Sequence, residues 1–175
     1  MEKTGVDMVT ELEEILVKND LSSIADCQDT TPVIIQSFDL DPLIMFEKLS
    51  DLPMVYLLRK PSEQSYDYDV VGQTVHGVGP DAALVFTEPD MEMSAADYEG
   101  PSSFVTKMHG LDLIVHPWEI QDDYLKYGTT VYSEVRKFVY KGIDGVFTEF
   151  PESTEALFTH FGSQSPFKVP ATQIL

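Results

Sequence analysis

Positive charge is scarce in this chain. Eleven Lys and Arg stand against thirty Asp and Glu in 175 residues, a net charge of −19. Nucleic-acid binders draw most of their affinity from Lys and Arg on phosphates, and here basic residues adjoin one another only at Arg59-Lys60 and Arg136-Lys137. Nucleic acid is therefore disfavoured as a partner, and an anionic membrane surface for the same reason. An anionic substrate would need local relief from this field, such as a bound cation. Cysteine is nearly absent too: Cys27 stands alone, so no intrachain disulfide can form. No apolar run approaches the roughly 18 residues of a membrane-spanning helix. The segment MEKTGVDMVTELEEIL carries one lysine and four acidic residues by Glu13, which reads as neither a secretory signal nor a basic transit peptide. Compartment is not assigned.

What is present is an alternation of short apolar runs with amphipathic segments and no internal repeat. Val9, Leu12 and Leu16 recur at helical spacing up to Asn19. A polar stretch from Ser22 to Thr31 leads through Pro32 into VIIQSF (33–38), β-branched and of strand length. Asp41 and Pro42 suit the N-cap and first turn of a helix whose apolar face is Leu43, Phe46 and Leu49. MVYLLR (54–59) reads as a strand, followed by a polar Tyr-rich loop from Pro61 to Asp69, a short strand at VHGVGP (75–80) and an acidic loop ending near Gly100. A helix over 102–109 stops at Gly110, LDLIVHPW (111–118) is a strand, and a helix over 131–141 is closed by Gly142. GVFTEFP (145–151) is the last strand signal, and Ser153 caps a final helix through Phe161. Residues 1–162 thus form one unit, and 163–175 an irregular tail.

Strands alternating with helices of this length indicate a parallel α/β sheet, either open or part of a barrel. A complete (β/α)8 barrel takes about 250 residues, so spacing alone leaves a small complete sheet and a piece of a barrel both open.

Five segments, in order, resemble the later strands of the glycerophosphodiester phosphodiesterase family: VIIQSF (33–38), DLPMVYLLR (51–59), HGVGP (76–80), LDLIVHPW (111–118) and GIDGVFTEFP (142–151). The resemblance implies a partial TIM (β/α)8 barrel, C-terminal strands and helices only. It implies hydrolysis of a glycerophosphodiester to an alcohol and glycerol 3-phosphate, assisted in the intact enzyme by a divalent cation, Mg or Ca. The family's early strands carry a His-Arg-Gly, a Glu-x-Asp, a His-Asp and a Glu-Leu-Lys that supply cation ligands, acid–base groups and a phosphate-binding lysine. This sequence contains no His-Arg-Gly, His-Asp or Glu-Leu-Lys, and GVDM (5–8) resembles the segment that follows the last of them. No catalytic or metal-binding residue is assigned.

In a barrel, alternate strand residues point inward and active sites form at the strands' C-terminal ends. That rule and the resemblance nominate Gln36, Phe38, His116, Trp118 and Glu149 as substrate-binding residues. Gln36 offers an amide, Phe38 and Trp118 rings for a cleft wall. His116 is weighed as an acid or base against a structural role, hydrogen-bonded inside the barrel, and the structural role is preferred. Glu149 stands where the family has Asp, and Tyr56 where it has Gln. Arg59 is weighed as a phosphate contact against a plain surface cation. Asp67 with Asp69, or Asp90 with Glu92, can cluster without forming a metal site, and His76, His109 and His160 receive no role. Half a barrel exposes strand edges, so the expectation for this chain by itself is poor folding, self-association through open barrel edges, or dependence on a partner with the remaining strands. The alternatives kept open are a catalytically silent glycerophosphodiester-binding or protein-interaction protein, and an unrelated open α/β domain.

Overall fold

The computed structural model describes residues 7–28, 30–60, 64–86 and 100–162. Helix α1 (Met8–Lys18) begins at Asp7, whose carboxylate accepts the Val9 amide, and ends at Asn19. A short α2 (Ile24–Cys27) capped by Ser23 follows, inside the stretch read from sequence as an unstructured lead-in. Then come β1 (Ile35–Ser37), α3 (Leu40–Phe46), β2 (Met54–Leu58), α4 (Tyr68–Thr74), β3 (Gly77–Pro80), α5 (Ser103–His109), β4 (Ile114–Val115), α6 (Val131–Tyr140) and α7 (Pro151–Gly162).

The strands form one parallel sheet in the order β1-β2-β3-β4, with helices in the crossovers. The α/β architecture expected from the alternation is therefore present. Register divides the sheet cleanly. Ile35, Met54, Tyr56, Leu58, Val78 and Val115 share one face, and Gln36, Val55, Leu57, Gly77, Gly79 and Ile114 the other. The first face meets the helices: Met54, Leu58, Val78 and Val115 pack with Leu43, Phe46, Val105, Met108, Val135 and Phe138 in one continuous core. Removing these side chains from water is the main source of stability, about 1.5–3 kcal/mol for each fully buried Leu, Val or Phe.

Several boundaries shift from the sequence reading. Strand β4 has two residues rather than eight. The chain still runs alongside β3, with the His116 amide donating to Val78 and that of Trp118 to Pro80. The expected fifth strand is not formed as such. Residues 144–149 follow β4 through amides of Asp144 to Val115 and Phe147 to Pro117, and an Ile120–Thr148 bridge is their only ladder element. Helix α3 starts two residues earlier than expected, with Asp39 instead of Asp41 at the N-cap and Pro42 third in the helix, where its missing N–H has no intrahelical acceptor to lose. Leu49 falls beyond the helix end and is 47% exposed instead of packed. The final helix begins at Pro151 and not Ser153, proline taking its favoured first helical position. Helix α4, unread in the sequence, is set by Asp67, whose carboxylate accepts the amides of Asp69 and Val70. Helix α6 closes as expected at Gly142, whose φ of 79° a side chain would oppose.

Candidate functional site

Every parallel strand points its C-terminal end the same way, and the side chains nominated from sequence lie on the face opposite the helices. Beyond β1, Phe38 turns its ring edge-on to Trp118, with centroids 5.7 Å apart. The Trp118 indole N–H donates to the Gly79 carbonyl at 2.8 Å, fixing the ring across the end of β3. Gly79 is small of necessity: a Cβ there would sit 2.5 Å from Leu57 Cδ2 and 3.0 Å from Phe147 Cε2, the two side chains that fill the layer below the rings. Arg59, one residue past β2 on the same face, lays its guanidinium over the Phe38 ring at 4.1 Å. Phe38, Trp118 and Arg59 thus form one cluster at the strand ends. Two members were read from sequence as cleft walls; the arginine was weighed there as a phosphate contact against a plain surface cation.

The other nominated residues are not gathered into it. Gln36 is exposed on the open side of β1 and its amide hydrogen-bonds no described residue. Glu149 is exposed and borders a separate open groove with Asp122, Phe150 and Ser153. In that groove the Ser153 hydroxyl donates to Asp122 Oδ2 at 2.6 Å, a link that sequence spacing gives no hint of. His116 lies beneath the cluster, its ring edge toward Phe147 and its Nε2 against Gly145. That nitrogen is buried and has no hydrogen-bond partner among the described residues, which departs from the hydrogen-bonded histidine expected. Burial holds the imidazole below its usual pKa, with a smaller opposing pull from Asp144. With protonation disfavoured and Nε2 buried, that nitrogen is poorly placed to exchange protons with a substrate. Tyr56, the departure from the family's Gln, points into the helix-side core; its hydroxyl accepts from Gln64 and burial raises its pKa. The substitution therefore leaves the strand-end cluster untouched.

Cation binding was tested against the side chains present. A divalent ion needs several hard oxygen ligands converging on one point, and among the described residues no three His, Cys, Asp or Glu side chains do so. Asp67 is occupied as the α4 cap. Asp90 and Glu92 lie outside the described residues, as does Glu88-Pro89-Asp90, the single Glu-x-Asp spacing in the acidic loop. The described residues do not fit the divalent cation that the resemblance implies. His109, given no role from sequence, pairs with Asp144 at 2.9 Å, and that carboxylate also accepts the Val115 amide at 2.7 Å, tying α5 to the closing segment. No helix among the described residues is long and apolar enough to cross a membrane.

Comparison with solved structures gives the same architecture. A protein from Silicibacter pomeroyi described as a glycerophosphoryl diester phosphodiesterase superposes with a TM-score of 0.58 at 17% identity, over 93% of this chain and 49% of its own. One from Agrobacterium tumefaciens with the same description gives 0.58 at 15%, over 92% and 53%. A glycerophosphodiester phosphodiesterase from Parabacteroides distasonis gives 0.51 at 14%, over 90% and 56%. The chain spans about half the length of each, and its sheet corresponds to about half of a TIM barrel. No curated protein matches it. The sequence profile of the glycerophosphoryl diester phosphodiesterase family matches residues 2–153, most of the chain. On that match the chain belongs to the glycerophosphoryl diester phosphodiesterase family.

Proposed function

We propose that this chain supplies the substrate-binding wall of a metal-dependent phosphodiesterase site that hydrolyses glycerophosphodiesters to an alcohol and glycerol 3-phosphate, and that by itself it turns over no substrate. The observation that carries the reading is the Phe38–Trp118 pair at the C-terminal strand ends, where α/β barrels place their active sites. Two rings set edge to face make a rigid apolar wall against which a glycerol backbone can lie, while its hydroxyls remain free for polar groups.

Turnover asks for more. A phosphodiester anion resists attack until its oxygens are neutralised, and the leaving alcohol needs a proton donor in position. The sequence lacks the His-Arg-Gly, His-Asp and Glu-Leu-Lys that the family uses for these tasks. The one histidine beneath the cluster is half-buried, with its Nε2 atom buried against Gly145. Incubation of the purified chain with glycerophosphocholine and either Mg or Ca is expected to release no glycerol 3-phosphate. Release that disappears in His116→Ala would place catalysis within this half and overturn the proposal. The open edge of β1, beside a 40% exposed Ile34, also supports concentration-dependent self-association.

A further inference from the structure

We infer that Arg59 is the phosphate anchor of this wall, a binding residue for the phosphoryl group of a glycerophosphodiester or of the glycerol 3-phosphate it yields. The inference rests on the proposed function for the identity of the organic part, but the anion site stands on its own geometry.

Charge supplies the first argument. With thirty acidic residues in the chain, an arginine is expected to find a carboxylate, yet Arg59 forms no ion pair with any described residue. Its guanidinium carbon instead sits over the Phe38 ring, 4.1 Å from the centroid. Stacking uses the face of the guanidinium and leaves its N–H edge available for a planar, two-pronged contact with phosphate oxygens. The second argument is rigidity. Arg59's backbone N–H donates to the Tyr66 hydroxyl at 2.6 Å, and the same hydroxyl reaches back to the Arg59 carbonyl at 3.4 Å. The main chain is held there and the side chain, exposed to solvent, rests on the Phe38 ring, which lowers the conformational freedom lost on binding. Position is the third. Arg59 continues the inward-facing series of Val55 and Leu57, and Phe38 beneath it abuts Trp118. A phosphate gripped by Arg59 would bring an attached glycerol alongside the two rings. In a chain of net charge −19, a localised cation is what an anionic substrate requires to approach.

Trp118 is the only tryptophan, so its fluorescence reports the cluster directly. The full-length chain would be titrated at constant ionic strength with glycerol 3-phosphate, glycerophosphocholine, inorganic phosphate and, as a neutral control, glycerol. A saturable change with the phosphorylated compounds and none with glycerol is expected. Arg59→Gln should weaken that binding by about tenfold or more, the loss of a charged hydrogen-bonded pair. Arg59→Lys should fall between, since an ammonium keeps the charge but not the fork. Circular dichroism of both variants would establish that they fold. Unchanged affinity in folded Arg59→Gln, or no saturable binding of any phosphate compound, overturns the inference. Binding of inorganic phosphate that equals that of both glycerol compounds and depends on Arg59 upholds the anion site while contradicting the glycerophosphodiester reading.

Discussion

Strands β1 and β2 are paired neighbours with opposite environments. Every residue of Met54–Leu58 is buried, at 9% exposure or less, and no residue of Ile35–Ser37 is. β2 has a strand on either side; β1 has one on a single side. Exposed apolar side chains gather near the same border, with Met8, Ile15, Ile34 and Met45 each more than a third exposed. In most proteins such a border is blunted with charge or covered. The contrast teaches that the chain holds a finished core on the helix side and an uncovered margin at β1. The strand-end cluster depends on both, since Phe38 follows the margin strand and Arg59 the interior one.

Three substitutions sharpen the contrast. The largest effect is expected from Leu58→Ala, a fully buried position on the helix side, which should cost about 2–5 kcal/mol by chemical denaturation. A loss well under that would mean the core is loosely packed. His116 gives an intermediate effect with a defined sign. Its folded pKa is lowered, so the unfolded chain binds the extra proton first. Its contribution is complete above the unfolded value near 6.5 and is lost as pH falls below it. Denaturation midpoints should drop as pH falls below about 6.5 in the parent chain, and His116→Phe should flatten that part of the curve; an unaltered slope contradicts the burial argument. Smallest is Ile34→Gln on the margin, expected to change stability by no more than about 0.5 kcal/mol while reducing concentration-dependent association in sedimentation velocity. A core-sized loss there would show that β1 is covered after all.

How much of this was legible beforehand follows from which signals are local. Strand MVYLL and the helix over 131–140 were visible because burial on one or both sides writes itself into a continuous or 3.6-periodic apolar pattern. Helix α4 was not, since YDVVGQT buries only Val71 and its start depends on an Asp67 cap within a polar loop. The thinning of the last two strands was hidden as well, because strand pairing depends on partners as well as on the residues' own preferences. At the site, Phe38, Trp118 and Arg59 could be noted from strand-end position, whereas the contact of Arg59 with the Phe38 ring could not. Gln36 was nominated on inward parity; it lies on the sheet face opposite the helices and is exposed, β1 having no strand on its outer side among the described residues. Buried Glu134, which accepts the amides of Tyr127 and Gly128, had no sequence signal, since charge at a helical position ordinarily means surface.

The account turns on β1 being an unpaired edge, and amide hydrogen exchange of the intact chain in dilute solution examines that directly. The Ile35 amide bonds to Pro53, so the Gln36 amide points away from β2. Gln36 should exchange without protection while Tyr56, inside the sheet, exchanges slowly; comparable protection at both would mean that the margin is already paired, and the half-barrel description would fail.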